Sequence, residues 1–316
     1  MKTKLISIFL ILSILLSGCG SHPAAPEAEV DSFSVTFVDD LGRTVTVRDP
    51  QRVACLLGSF AEVWQLAGGD VIATADDAWE DFGLTLQPDC VNLGGTKHLS
   101  LELLLSAQPD FIIASTNTRQ NVELRETLEA TGIPVAYFDV FDFEDYLWLL
   151  NICTDLTGCK DRYETYGTAV QEKIDAVIAR SKQRLETEDA PTVLFLRASA
   201  SAVHVKNSEG VILGSMLKDL GCINIADSDA TLLENLSVER ILEADPDFIF
   251  VVQQGDNAEG TREYVRQFLQ EHPAWAQLTA VKNDNVHFME KRLFGLKPNH
   301  RWAEAYQIVE EILANG

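Results

Sequence analysis

Two sets of side chains in this sequence are placed to do chemistry. The first combines cations and aromatics: Trp79, Lys97, His98, Arg197, Arg292 and Phe294, with Ser59 and Phe60 at the start of an early helical stretch. Aromatic rings suit flat apolar surfaces, and Arg or Lys suits anionic groups, so this is the chemistry of anion capture. The second set is a pair of glutamates in duplicated segments. Residues 99–113, LSLELLLSAQPDFII, match residues 236–250, LSVERILEADPDFIF, at nine of fifteen positions with a constant offset of 137. Each copy places a capping serine (Ser100, Ser237) before a short helix and a glutamate (Glu102, Glu239) in its first turn, where a carboxylate complements the helix dipole. A Pro-Asp turn then stops the helix before an apolar strand. The sequence has no GxSxG, P-loop or HExxH motif and no GxGxxG after a strand, so no catalytic residues are assigned. An enzyme, a hydrolase, is kept as the alternative class.

Those residues need elements to hold them, and the apolar runs supply the elements. Short β-rich runs at 53–57, 71–75, 111–115 and 135–139 alternate with helical stretches near 59–67, 100–107, 121–131 and 144–157. Strands near 193–197, 223–226, 247–252 and 286–289 repeat the alternation, with helices near 212–220, 237–244, 261–271 and 301–314. Continuous apolar strands between helices predict mostly parallel sheets covered on both faces. The fold class is therefore α/β: two Rossmann-like lobes, 33–159 and 188–316, each built on one copy of the duplicated unit.

Between the lobes, residues 160–187 contain no proline and a single glycine, Gly167. Tyr163, Tyr166, Val170, Ile174, Val177, Ile178 and Leu185 recur at three- and four-residue steps, which predicts one long linking helix of about 40 Å. Such a rod limits hinge motion, because bending it breaks backbone hydrogen bonds.

In open parallel sheets, ligands sit beyond the carboxyl ends of the strands, so the site is expected between the strand-end loops of the two lobes. The first lobe offers Ser59, Phe60, Asp76, Asp77, Trp79, Thr96, Lys97 and His98 there, with 115–119 and 139–141. The second offers Arg197, Ser199, Ser201, Gln253, Gln254 and 291–294. Trp79 stands in too polar a context for a core strand. Arg197 ends the apolar run 193–196, where a charge has to emerge at the strand's edge, and Arg292 follows 286–289 in the same way. Each also reads as an ordinary surface ion pair. Glu62, inside the first helix, reads equally as structural or as a contact. Trp302 and Tyr306, at i and i+4 with Val309 and Leu313, read as a helix docking on its lobe.

Twenty-five Lys and Arg against 48 Asp and Glu give a formal charge of −23, which disfavours nucleic-acid binding. At the N-terminus, Lys2 and Lys4 precede an apolar run, Leu5 to Leu16, broken only by Ser7 and Ser13 and followed by Leu16-Ser17-Gly18-Cys19. It predicts a signal peptide over 1–18, lipidation at Cys19 and a flexible tether over 19–32. Loss of residues 1–18 leaves 23 basic against 48 acidic groups, a charge of −25. Cys55, Cys90, Cys153, Cys159 and Cys222 are odd in number and widely spaced, unlike a disulfide framework, although Cys153 and Cys159 are near enough in sequence to pair. The six histidines, His22, His98, His204, His272, His287 and His300, have no HxH or HxxxH spacing, so no metal site is assigned.

The paired LSxE…PDFI segments, Gly58-Ser59-Phe60-Ala61-Glu62 with Leu66-Ala67-Gly68, and Lys297-Pro298-Asn299-His300-Arg301-Trp302-Ala303-Glu304-Ala305-Tyr306 together resemble the substrate-binding lipoproteins of ABC importers. The group is the one with a single linking helix, which carries iron–siderophore complexes, haem and cobalamin. The resemblance covers essentially the whole mature chain. It implies an exported, lipid-anchored monomer on the extracytoplasmic face of the membrane. It also implies an ABC permease dimer with its ATPase subunits as partner, and a metal chelate as ligand. Glu102 and Glu239 would then dock on an arginine patch of the permease. No cofactor is implied; the cargo would be a ferric siderophore, with a corrinoid or haem as the alternative. Haem would need axial ligands, and His98 on one lobe with His204 or Met289 on the other are the available groups.

Overall fold

The computed structural model describes residues 33–316 apart from Asn235 and His272, with the side chains of 269–271 also left aside. The signal peptide, Cys19, His22 and the tether lie outside the described residues. The chain opens with a hairpin absent from the sequence expectations, β1 (Ser34–Val38) against β2 (Thr44–Arg48). Its alternation was legible: Phe37, Val45 and Val47 turn inward while neighbours face out, the period-two pattern of a half-buried ribbon. Asp39 fixes the turn by accepting from the Leu41 and Arg43 amides and from the Arg43 guanidinium.

The first lobe continues with β3 (Val53–Cys55), α1 (Gly58–Leu66), β4 (Val71–Thr74), α2 (Asp77–Glu80), β5 (Val91–Asn92), α3 (Leu101–Ser106), β6 (Phe111–Ser115), α4 (Arg119–Ala130), β7 (Val135–Phe138) and α5 (Phe143–Thr157). Its five strands form one parallel sheet in the order β5-β4-β3-β6-β7. Successive β3 residues serve opposite faces: Val53 and Cys55 join one buried cluster and Ala54 the other, as a sheet covered on both sides requires.

The predicted rod comprises α6 (Lys160–Tyr163), a π-helical turn (Glu164–Thr168) and α7 (Ala169–Arg184). It ends three residues short of expectation and carries one irregularity. In the π turn the Tyr166 carbonyl accepts from the Tyr146 hydroxyl of α5 at 3.0 Å, and Gly167 lets Leu147 and Leu150 approach. A widened turn that meets a neighbouring donor is a stable bulge rather than a break.

The second lobe holds β8 (Thr192–Ala198), β9 (Val203–Lys206), α8 (Ile212–Asp219), β10 (Ile223–Asn224), α9 (Ala230–Glu234), α10 (Val238–Ala244), β11 (Phe248–Gln253), α11 (Ala258–Glu271), α12 (Thr279–Lys282) and β12 (Val286–Met289). After a π turn (Lys291–Gly295) and a 3-10 turn (Asn299–Arg301), α13 (Trp302–Asn315) closes the chain. The order β10-β8-β11-β12 is parallel, and β9 lies antiparallel to β8. Trp302 and Tyr306 are fully buried, and the Tyr306 hydroxyl donates to Asp219 at 2.5 Å, so α13 packs as the i, i+4 stripe predicts. One buried cluster runs from β3 and α1 through α5 and α7 to β8, β11 and α13. The rod is therefore embedded in a core shared by both lobes, which opposes large hinge motion.

Candidate ligand-binding cleft

Every parallel strand must end in a loop at the same edge of its sheet, and those loops meet between the lobes. They enclose a cavity of about 610 Å3. The first lobe contributes Leu57 and Ser59 after β3, Asp76, Asp77, Glu80, Asp81 and Phe82 around α2, Gly95 to His98 after β5, Asn117 and Thr118 after β6, and Val140 and Phe141 after β7. The second contributes Phe195 and Arg197, 210–212, 254–256, Lys291 and Phe294 to Lys297.

The wall at α1 depends on one glycine. A Cβ at Gly58 would lie 2.5 Å from the Ala78 nitrogen, so only glycine lets β3 turn into α1 against α2. The Gly58 amide donates to Asp77 Oδ1 at 2.9 Å. Burial nevertheless lifts the Asp77 carboxyl to about 6, against the opposing pull of that amide.

Ser59, Lys97, His98, Arg197 and Phe294 from the sequence-predicted set meet at this cavity. Trp79, Phe60 and Arg292 do not line it. From α2 and its two cap residues the cavity takes Asp76, Asp77, Glu80 and Asp81, positions on one helical face; Trp79 falls on another face and is half-buried. Phe82 supplies the aromatic surface instead. Phe60 is a core residue, 1% exposed, edge-on to Phe138 at 6.4 Å between ring centres. Arg292 is consumed by protein partners: it donates to Glu62 Oε2 at 2.7 Å and to the Lys297 carbonyl at 2.8 Å, and stacks over Phe82 at 4.1 Å. Glu62 is thereby engaged within the protein. Its carboxylate also accepts from Asn299 Nδ2 at 2.5 Å, and the same amide donates to the Ser59 carbonyl, so α1 is tied to the segment before α13.

Lys291 spans the mouth. Its ammonium reaches Asp81 Oδ1 at 2.7 Å on one lobe and Asp256 Oδ1 at 2.6 Å on the other. Burial lowers its pKa, but the two carboxylates more than reverse this. The mouth is thus not the cationic concentration the sequence suggests. Asp76, Asp77, Glu80, Asp81 and Asp256 share it with Lys97, Arg197, Lys291 and Lys297.

Sequence reasoning passed over Lys297, Phe82, Asp256 and Phe195 as wall residues. Phe195 sits inside an apolar run and gives no signal. Lys297 is eight residues beyond β12, but the Lys297-Pro298 step marks a chain that must stay extended there, which is a usable hint.

Away from the cavity, Glu102 and Glu239 are both exposed in the first turns of α3 and α10. Ser100 Oγ accepts from the Leu103 amide at 3.2 Å and Ser237 Oγ from the Arg240 amide at 3.3 Å, matching caps worth about 1 kcal/mol each. The five described cysteines are free, Cys153 and Cys159 included. Among the described residues no group of three or more His, Cys, Asp or Glu side chains is arranged to hold a metal ion, and no helix is long and apolar enough to cross a membrane.

Two α/β lobes that share a core and leave a deep cleft at their facing strand ends define a protein built to capture a solute between them. The chain belongs to the periplasmic binding protein family, which it matches over residues 53–293, a family of binding proteins rather than enzymes. It is 24% identical to the Fe(3+)-citrate-binding protein YfmC of Bacillus subtilis, over 95% of this chain and 94% of that protein. It is also 24% identical to a putative ABC transporter substrate-binding lipoprotein of the same organism, YhfQ, over 98% and 97% of the two chains. Among solved structures it resembles Staphylococcus aureus SirA complexed with staphyloferrin B. That match has a TM-score of 0.68 and 20% identity, covering 89% of this chain and 98% of that one, a likeness of fold.

Proposed function

We propose that this chain is the extracytoplasmic substrate-binding component of an ABC importer, capturing a ferric chelate in the interlobe cleft and delivering it to a permease. The observation that carries the reading is the cavity of about 610 Å3, walled by strand-end loops of both lobes and carrying charged and aromatic groups together. The names of YfmC and YhfQ support the iron chelate and the lipid anchor, which falls on Cys19. His98 is the one imidazole on the cavity wall among the described residues, while Met289 is buried elsewhere and His204 lies off the wall, so haem would lack the expected second axial group.

Delivery falls to Glu102 and Glu239, exposed at matching positions of the two lobes, where a carboxylate can meet a cationic permease surface. Reversing both charges with Glu102→Arg and Glu239→Arg is expected to abolish chelate uptake by cells while ligand affinity stays within about twofold. Uptake that persists removes the docking assignment. Titration of the purified protein with ferric citrate, a ferric hydroxamate, cobalamin and hemin, followed by tryptophan quenching and visible absorbance, tests the cargo. Tight binding of hemin or cobalamin with no ferric chelate bound overturns the iron-chelate reading.

A further inference from the structure

Four basic side chains line the cleft, and they differ in what neutralises them. Lys291 has two carboxylates. Lys97 is exposed, so solvent satisfies it. Arg197 and Lys297 are only partly exposed and have no carboxylate partner among the described residues. Arg197, at the end of β8, has its Nε buried without a hydrogen-bond partner, and its guanidinium makes no ion pair among the described residues. Lys297 also makes no hydrogen bond or ion pair among the described residues; its ammonium lies 5.3 Å from the centre of the Phe60 ring. Burial depresses both groups, and only the more distant charges of Asp139 and Asp77 oppose this at Lys297.

Those two acids are already engaged. Asp77 accepts from the Gly58 amide, and Asp139 accepts from Asn117 Nδ2 at 2.5 Å. A desolvated cation without a partner is unfavourable in the empty cleft and becomes favourable when an anion arrives. Two such cations on the wall of one cavity, donated by β8 and by the segment that grips α1, mark where negative charge belongs.

Resting on the chelate-carrier reading above, we infer that Lys297 and Arg197 form a carboxylate-binding pair in the cleft, and that the cargo is a chelate presenting free carboxylates rather than one with a neutral or cationic edge. Lys297 acts as a specificity-determining residue: it selects an anionic edge and holds it at its own side of the wall. The neighbouring acids, Asp76, Asp77 and Glu80, work against a ligand that is anionic all round, so the negative edge has one seat.

The test uses the full-length protein in detergent, with ferric citrate, metal-free citrate and ferrioxamine B, a hydroxamate chelate bearing a free ammonium. Lys297→Met and Arg197→Gln should each weaken ferric citrate binding by about tenfold or more, the loss expected for one charged hydrogen bond. Lys297→Arg should keep most of the affinity. Lys297→Met should also raise the melting midpoint of the empty protein, because it removes an unpaired desolvated charge; a merely structural lysine would lower it. Unchanged ferric citrate affinity in both variants, or a lower midpoint for Lys297→Met, overturns the proposal. Binding of ferrioxamine B but not of ferric citrate overturns the carboxylate class and leaves the carrier reading standing. Binding of metal-free citrate, sensitive to both variants, with neither ferric chelate bound supports the cation pair and overturns the carrier reading instead. No binding of any probe overturns both.

Discussion

The bridging cations Lys291 and Arg292 and the unpaired cations Arg197 and Lys297 use the same residue types around one cleft to opposite ends. Lys291 and Arg292 are saturated: Asp81 and Glu62 meet them across the lobe boundary at 2.7 Å, and Asp256 meets Lys291 from its own lobe at 2.6 Å. Arg197 and Lys297 make no ion pair among the described residues. A cation is drawn to the strand-end edge because burial within a sheet is too costly. Whether it then binds ligand or braces the protein depends on which carboxylates the opposite lobe presents.

That contrast can be broken in four ways. The largest effect belongs to Arg292→Ala, which strands the Glu62 carboxylate in a site where it is 10% exposed. A loss of about 3–5 kcal/mol in denaturant unfolding is expected, and one below about 1 kcal/mol would show that the bridge bears no weight. Next is Asp77→Asn, which keeps an acceptor for the Gly58 amide while removing a charge that burial disfavours. The folded-state carboxyl, at about 6, takes up a proton before the unfolded one does, so its cost is fully present above about pH 6 and fades toward pH 4. The variant should therefore gain about 2 kcal/mol at pH 7.5 and almost nothing at pH 4, and an equal gain at both pH values refutes the assignment.

Lys291→Met tests the exposed half of the bridge. Asp256 is 89% exposed, so the pair is screened and the loss should stay near 1 kcal/mol or less, with a modest rise in the rate of ligand release as the mouth loosens. A loss rivalling that of Arg292→Ala would place both cations in one buried network. The smallest change is expected from Glu102→Gln with Glu239→Gln, within about 0.5 kcal/mol of the parent in unfolding, because both groups are exposed on capped helices. A larger destabilisation would mean they brace the fold rather than serve a partner.

Much of the scaffold was readable because its signals are local. The strand expected at 111–115 is Phe111–Ser115 and that at 286–289 is Val286–Met289, both continuous apolar runs. The elements overlooked are short or paired at the edge: β5 has two residues, β9 has four, and the β1–β2 ribbon precedes the first copy of the duplicated unit. The π turn in the rod was illegible, since it answers the Tyr146 hydroxyl from another helix. Trp79 shows the limit for the site: its polar context announced that it left the core, but the register of α2 decided that Asp77 and Asp81 face the cleft.

The sequence by itself determined the duplicated α/β units, the connecting helix with its apolar stripe, and the edge of the sheets where a ligand would sit. These follow from periodicity, capping residues and the parallel run of the strands, which are properties of short segments. Only the tertiary structure decided which cations stay free, because neutralising a charge takes a partner within about 4 Å. Glu62 and Arg292 become neighbours only when the two lobes close on one core.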